Sequence, residues 1–200
     1  MHKKKDWFVD KANDYDTNKH RTQNVNNIAQ GILGEVSFSK RMKIMDFGSG
    51  TGLLLSEIAP YVGEITAIDI STSMNNVLKT KKIDCKIQIV EMDLTAEKLD
   101  KKFDSIISSM TLHHIDDVKG LFKKFYTLLN DKGTIAIADL DKEDGSFHTT
   151  NTGVFHHGFD REEFKSFAES VGFRNLKIQS ISTAEKPTGN YSVFLLTGEK

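Results

Sequence analysis

One cysteine, two prolines, a single tryptophan and no long apolar run are what this 200-residue sequence has least of. The lone Cys85 precludes an internal disulfide and any all-cysteine zinc site, and its place just before an apolar run argues for packing and against a nucleophile. No stretch approaches the ~18 apolar residues of a membrane-spanning helix. The basic start, Lys3 to Lys5, leads into Asp6-Trp7-Phe8-Val9-Asp10 and not into the apolar region of a secretory signal. The expectation is a soluble, cytoplasmic protein with no membrane span. An excess of charge of either sign is also missing. At a formal net charge of −1 there is no overall positive field to gather nucleic acid or an anionic membrane. The basic clusters Lys3 to Lys5, Lys79 to Lys82 and Lys123-Lys124 sit beside acids or on the polar side of helical patterns and read as solvated faces. Repeats, low-complexity tracts and interdomain linkers are absent, so residues 1–200 read as one domain with an adequate core.

What is present starts at Ile44-Met45-Asp46-Phe47-Gly48-Ser49-Gly50-Thr51-Gly52-Leu53: an apolar run, an acid, then glycine at every second position before a helical pattern resumes. Glycine permits positive φ and removes side chains that would hold a ligand away from the backbone, so this loop suits close contact with a small molecule. Leu53 stands where a dinucleotide fingerprint needs glycine or alanine, and the G-K-[ST] of a P-loop is absent. Apolar runs and helical patterns then alternate: Leu53 to Ala59 stopped by Pro60, Ser71 to Lys81, and Val118, Leu121, Phe122, Phe125, Leu128 and Leu129 at spacings of three and four. Such alternation predicts βαβ units and a parallel sheet. Gly133 to Leu140 reads as a fifth strand covered on both faces. Asp160 to Glu163 has the form of a capping box, with Phe164, Phe167, Ala168 and Val171 behind it and Gly172 as the stop. Phe173 to Ser182 and Tyr191 to Thr197 read as final strands joined across Pro187-Thr188-Gly189-Asn190. Ahead of the sheet, Phe8, Ala12 and Tyr15 share one helical face, and Val25, Ile28, Ala29, Ile32 and Leu33 share another closed by Gly34.

The G-x-G-x-G loop after an apolar strand and an acid resembles the first motif of class I S-adenosylmethionine (SAM) dependent methyltransferases, in particular the type 11-like small-molecule group. The likeness continues in order. Glu64 to Ser71 is a second run whose acid, Asp69, lies 17 residues after Gly52; Lys86 to Leu94 ends in Asp93-Leu94; and Phe103 to Met110 is followed by Thr111-Leu112-His113-His114-Ile115. The resemblance covers roughly the first 140 residues. It implies an α/β fold, Rossmann-like and doubly wound, with a seven-stranded, mostly parallel sheet, an antiparallel last strand and N-terminal helices. It divides the domain into a helical cap at 1–40, a SAM-binding core at 41–140 and a substrate-facing link, last helix and terminal hairpin at 141–200. As cofactor it implies SAM, with S-adenosylhomocysteine as product. The implied contacts are Asp46 near the methionine amino group, the loop residues Gly48, Ser49, Gly50 and Gly52, Asp69 with Ile70 at the ribose, Met74 and Leu94 against adenine, Asp93 at the adenine amino group, and Ser109 at the end of the fourth run. Trp7, Ala12, Tyr15 and Asp16 resemble a W-x-x-x-A-x-x-Y-D segment whose tyrosine closes over SAM, with Ala12 one position late.

Methyl transfer from a sulfonium is an in-line displacement whose main needs are alignment and exclusion of water, so a lid is expected from the N-terminal helix or from the link Asp141 to Gly158. If the acceptor must lose a proton, His113 and His114 after the fourth strand are the candidate bases, with His157 a further catalytic candidate. The acids and histidines of Asp139 to His148 and Phe155 to Asp160 match no metal signature, and adjacent histidines usually diverge in an extended chain. No metal ligand is therefore assigned. The expected role of this segment is a lid in which His148, His156 or His157 hydrogen-bonds the acceptor. The predicted function is methyl transfer to a small-molecule partner by a monomer or homodimer. Nucleic acid is not an expected partner, because Ser108-Ser109-Met110-Thr111 replaces the Asn/Asp-Pro-Pro-aromatic motif of amino-directed nucleic-acid enzymes and no Pro-Cys occurs. A protein methyltransferase and a SAM-binding regulator without turnover are the alternatives. An NAD-linked oxidoreductase would need a separate substrate domain and a small residue at position 53.

Overall fold

A computed structural model of the chain describes residues 6–150 and 152–200; the basic cluster Lys3 to Lys5 lies outside them. The elements run α1 (Lys19–Glu35), β1 (Lys43–Phe47), α2 (Leu53–Ile58), β2 (Glu64–Asp69), α3 (Thr72–Lys79), β3 (Lys86–Glu91), β4 (Phe103–Ser109), α4 (Val118–Leu128), β5 (Leu129–Leu140), α5 (Arg161–Ser170), β6 (Arg174–Lys186) and β7 (Gly189–Glu199). One seven-stranded sheet has the order β3-β2-β1-β4-β5-β7-β6. β1 pairs in parallel with β2 and β4, and β7 inserts antiparallel between β5 and β6. The chain winds outward from β1 to β3 and then crosses to β4 on the other side of β1. The switch point therefore lies between the carboxyl ends of β1 and β4, where open α/β sheets bind ligands.

Both faces of the sheet are covered, which explains the near-continuous apolar runs. One core joins Ile28 and Ile32 of α1 with Leu55 and Ile58 of α2 against Ile44, Ile65 and Ile107. The other joins Phe122 and Phe125 of α4 and Phe164 of α5 with Phe103, Phe173 and Phe194. Edge-to-face ring pairs such as Phe122–Phe164, with centroids 5.3 Å apart, fix the second layer. Gly31 allows α1 to approach β6, since a Cβ there would lie 2.0 Å from Ile181 Cδ1. The predicted cap at Asp160 is present, accepting from Glu162 N and Glu163 N, and Ser71 caps α3 by accepting from Met74 N.

Several boundaries differ from the sequence pattern. The stretch carrying Phe8, Ala12 and Tyr15 is a run of turns ending in a 3-10 turn at Tyr15–Thr17, not a helix. Its helical spacing records local bonds, Lys11 N and Ala12 N to Phe8 O, without an extended helix. α1 continues through Gly34, whose place needs no special φ. β5 begins at Leu129, which pairs with Phe103 before the register shifts. Only Pro187 and Thr188 separate β6 from β7. Two basic clusters are not simply solvated. Lys81 ion-pairs with Asp16 at 2.5 Å, and Lys124 Nζ donates to the carbonyls of Leu94 and Thr95 at 2.6 and 2.7 Å. Periodicity assigns both lysines to a polar face but cannot show which loops fold back onto it. Cys85 is half-buried against the first core, and burial pushes its thiol up. Among the described residues no helix is long and apolar enough to cross a membrane.

Candidate active site

At the switch point the structure opens into a cavity of about 550 Å3, a size typical of small-molecule sites. One wall is the glycine loop between β1 and α2. Gly48, Gly50 and Gly52 all have positive φ, at +70°, +53° and +86°. At Gly48 the need for glycine is also steric, since a Cβ would lie 2.2 Å from Thr111 Cγ2. At Gly50 a Cβ would meet no protein atom within 4 Å, so that space belongs to the cleft. The loop is tied to the end of β2 by Gly48 N and Ser49 N donating to Ile68 O at 2.8 and 3.1 Å.

The acids of the first two strands meet here. Asp46 is 1% exposed, and its Oδ2 is buried without a partner. Burial, with the Asp69 charge adding to it, pushes its carboxyl up to about 8. An uncompensated buried carboxylate is costly, so this oxygen calls for a cation. Asp69 Oδ2 accepts from Gly50 N and its Oδ1 from Ser71 N, each at 2.8 Å. Burial raises its carboxyl despite these bonds. Ile70, an apolar side chain left 48% exposed, lines the cleft with Met74, Asp93 and Leu94. Asp93 Oδ1 is turned to Thr95, accepting from its N at 3.0 Å and its Oγ1 at 2.5 Å. Ser109 and the glycine-loop residue Ser49 face the same cavity, and the hydroxyl oxygens of both are buried without a partner. Met110 follows at φ +55°, an uncommon backbone state for a residue with a side chain and one that clusters at functional sites.

The N-terminal segment covers the loop. Tyr15 lines the cavity, burial raises its phenol, and the Arg21 guanidinium stacks 3.9 Å from its ring centroid. Asp16 Oδ1 accepts from Thr51 Oγ1 at 2.6 Å. Asp6, which the sequence does not mark, bonds Ser71 Oγ at 2.9 Å, Ser73 N at 3.0 Å and Ser73 Oγ at 2.8 Å, closing the start of α3. The two expected lids touch each other: Lys11 Nζ reaches Thr150 Oγ1 at 3.1 Å, and a Cβ on Gly153 would lie 2.9 Å from the Trp7 indole nitrogen.

The other half of the cavity is lined by imidazoles. His113 and His114 occupy a 3-10 turn after β4, and this tight turn, not an extended chain, brings their centroids to 4.4 Å. His148, from the segment after β5, lies 5.0 Å from His113 and 5.6 Å from His114. His113 is 1% exposed, and its Nδ1 lies 2.6 Å from Oδ1 of the fully buried Asp139. Burial acts to raise that carboxyl, but His113 and backbone donors outweigh it and hold it low. Burial and the neighbouring rings push His114 down to about 4 and His148 to about 3, mismatched to base work near neutral pH. The other two histidines of the segment after β5 do not join them. His156 Nε2 lies 2.9 Å from Ile115 O. His157 is 62% exposed and lies 3.6 Å from Glu143, outside the cavity lining. The catalytic expectation for His157 is therefore not supported by its position: the side chain is exposed beside Glu143, two residues before the parallel bridge that pairs Phe159 with Asp141.

Known proteins place this arrangement. A family model described as a methyltransferase domain matches residues 19–178. An uncharacterised methyltransferase of Schizosaccharomyces pombe is 33% identical over 156 residues, covering 68% of this chain and 55% of that protein. The chain thus spans about half the length of the curated relatives it matches. Among solved structures, phosphoethanolamine N-methyltransferase 2 of Haemonchus contortus, in complex with SAM, has a TM-score of 0.66 at 16% identity over 87% of this chain and 52% of that one. The 4+2 cyclase SpnF has a TM-score of 0.72 at 14% identity over 88% of this chain and 81% of that one. The orphaned Asp46 oxygen, the open space over Gly50 and the apolar shelf of Ile70 and Met74 fit a ligand that joins a cation to a flat nucleoside. With the matched region running from the start of α1 into β6 and taking in the whole glycine loop, the chain belongs to the methyltransferase-domain family, whose cofactor is SAM.

Proposed function

We propose that this protein transfers a methyl group from SAM to a small-molecule acceptor. The observation that carries the proposal is the unpartnered, buried Oδ2 of Asp46 at the floor of a cavity shared by the glycine loop and the histidines. When bound, SAM supplies a methyl on a positively charged sulfur, open to in-line attack. The residues of the chain bind, orient and exclude water. Asp46 complements the methionine ammonium, the glycine loop admits the ligand against its backbone, and Asp69 accepts from the ribose hydroxyls. Ile70, Met74 and Leu94 flank the adenine, with Asp93 at its rim. Tyr15 and the segment around it close the donor side, and His113, His114 and His148 border the acceptor side. A cavity bordered by two touching segments suits a small acceptor better than a protein chain, and a small acceptor is what the name of the H. contortus neighbour specifies.

A regulator without turnover is the competing reading, because the cyclase neighbour shows that this fold serves other roles. Calorimetry with SAM, S-adenosylhomocysteine and NAD, followed by a methyl-transfer screen over metabolites, tests the proposal. The first two ligands are expected to bind, NAD is not, and at least one metabolite is expected to be methylated. SAM binding without transfer to any acceptor would favour the regulator, and no SAM uptake would remove both.

A further inference from the structure

The imidazole side of the cavity carries more than a border. One ring nitrogen from each of His113, His114 and His148 lies within 4.8 Å of the others. In all three rings Nδ1 is engaged: by Asp139 Oδ1 at 2.6 Å, by the Gly153 carbonyl at 3.4 Å and by Thr152 Oγ1 at 3.2 Å. Each ring therefore has Nε2 left to offer. The Nε2 of His148 is buried and without a partner. Three rings with Nδ1 beside a carboxylate, a carbonyl and a hydroxyl, and with one nitrogen each gathered within 4.8 Å, resemble histidine metal ligands with their supporting shell.

We infer that His113, His114 and His148 form a binding site for a late first-row divalent ion of the zinc or cobalt kind. Neutral imidazoles without a carboxylate in the inner set select such ions over magnesium or calcium. Tetrahedral coordination at the usual zinc–nitrogen distance sets nitrogens roughly 3.4 Å apart. Nitrogens now within 4.8 Å of one another would have to draw together by about an ångström on binding. Three protein ligands leave one position open, as in catalytic and not structural zinc sites. All three histidines line the cavity that holds Asp46 and Gly50, so that position opens into the space assigned to the acceptor. On the methyl-transfer reading, on which this step alone rests, an oxygen or sulfur acceptor would ligate the ion and lose its proton to solvent more readily, and that atom would then bond the methyl as the sulfonium carbon–sulfur bond breaks and S-adenosylhomocysteine leaves.

The test uses the full chain, stripped with chelator and titrated with zinc by calorimetry and with cobalt by visible absorption, and SAM is titrated separately. One ion per chain and the intense visible bands of a tetrahedral cobalt site are expected. His148→Ala and His114→Ala, each shown folded by circular dichroism, are expected to weaken zinc binding by roughly 10–100-fold or more. No cobalt bands, or zinc affinity unchanged in both folded variants, overturns the site whatever SAM does. Metal uptake by a chain that fails to bind SAM upholds the site and removes the methyl-transfer reading instead.

Discussion

The Thr51 hydroxyl donates to Asp16 Oδ1 at 2.6 Å, tying the glycine loop to the segment that carries Tyr15. Lys81, just beyond α3, holds the other oxygen of the same carboxylate at 2.5 Å. One acid thus links the N-terminal segment to the glycine loop and to the end of α3. Asp16→Ala is expected to free that segment while leaving the sheet intact. A partly exposed charge-assisted pair contributes about 1–2 kcal/mol, so SAM affinity is expected to fall roughly 5–30-fold, mainly through faster dissociation. Stopped-flow binding reads this directly, and an unchanged dissociation rate would show that the segment is not a lid.

Asp46 makes SAM binding depend on pH. Its carboxyl, raised to about 8 by burial and by the Asp69 charge, is largely protonated at pH 7 in the ligand-free protein. An ammonium beside it favours the carboxylate, so binding releases a proton and affinity rises with pH by up to about tenfold per unit until about 8. The sign for stability is opposite. A folded-state value above the unfolded one means that the folded chain holds the proton longer, so the ligand-free protein loses stability as pH rises from the ordinary carboxylate range toward about 8. Calorimetry at pH 6.5 in buffers of different ionisation enthalpy should show proton release, and Asp46→Asn should abolish it while weakening SAM binding.

Asp69 and Gly50 are coupled by the 2.8 Å bond from Gly50 N. Asp69→Ala removes the ribose acceptor and this tie together. Gly50→Val puts a branched side chain at φ +53° and fills the open space above the loop. Both variants are expected to abolish measurable SAM binding while retaining the circular dichroism of the fold. Unchanged affinity in both would contradict the donor-site assignment.

That the glycine loop, Asp46 and Asp69 would share one cavity was legible because their pattern is local. A strand, an acid and alternating glycines occupy consecutive positions, and Asp69 follows at the spacing of one helix and one return strand. In the imidazole half the individual histidines were named from sequence but their convergence was not, because they meet only through the fold. His113 and His114 converge in a 3-10 turn that the apolar pattern does not announce, and His148 reaches them only after α4 and β5 have intervened. Asp6 and Lys124 were missed for the same reason: each bonds loops distant in sequence. His157 lies outside the cavity lining, and composition alone cannot tell which residues of the link after β5 face the cavity.

That segment is held at its base by Arg161, whose Nε and Nη2 donate to the two oxygens of Asp141, each at 2.6 Å. Lys142 N to Phe159 O and Phe159 N to Leu140 O close the same neck. Burial acts to raise the Asp141 carboxyl, but the Arg161 bond outweighs it and holds it low. The stability this pair contributes is therefore present above the ordinary carboxylate range and is lost as pH falls below it. Arg161→Met leaves Asp141 without its forked partner and is expected to cost about 1–2 kcal/mol, discounted for partial exposure. Hydrogen exchange should rise first in residues 142–158, ahead of the sheet, because the neck opens without breaking the strand ladder. Equal protection of that segment in the variant would show that its packing against the N-terminal segment, and not the ion pair, keeps it closed.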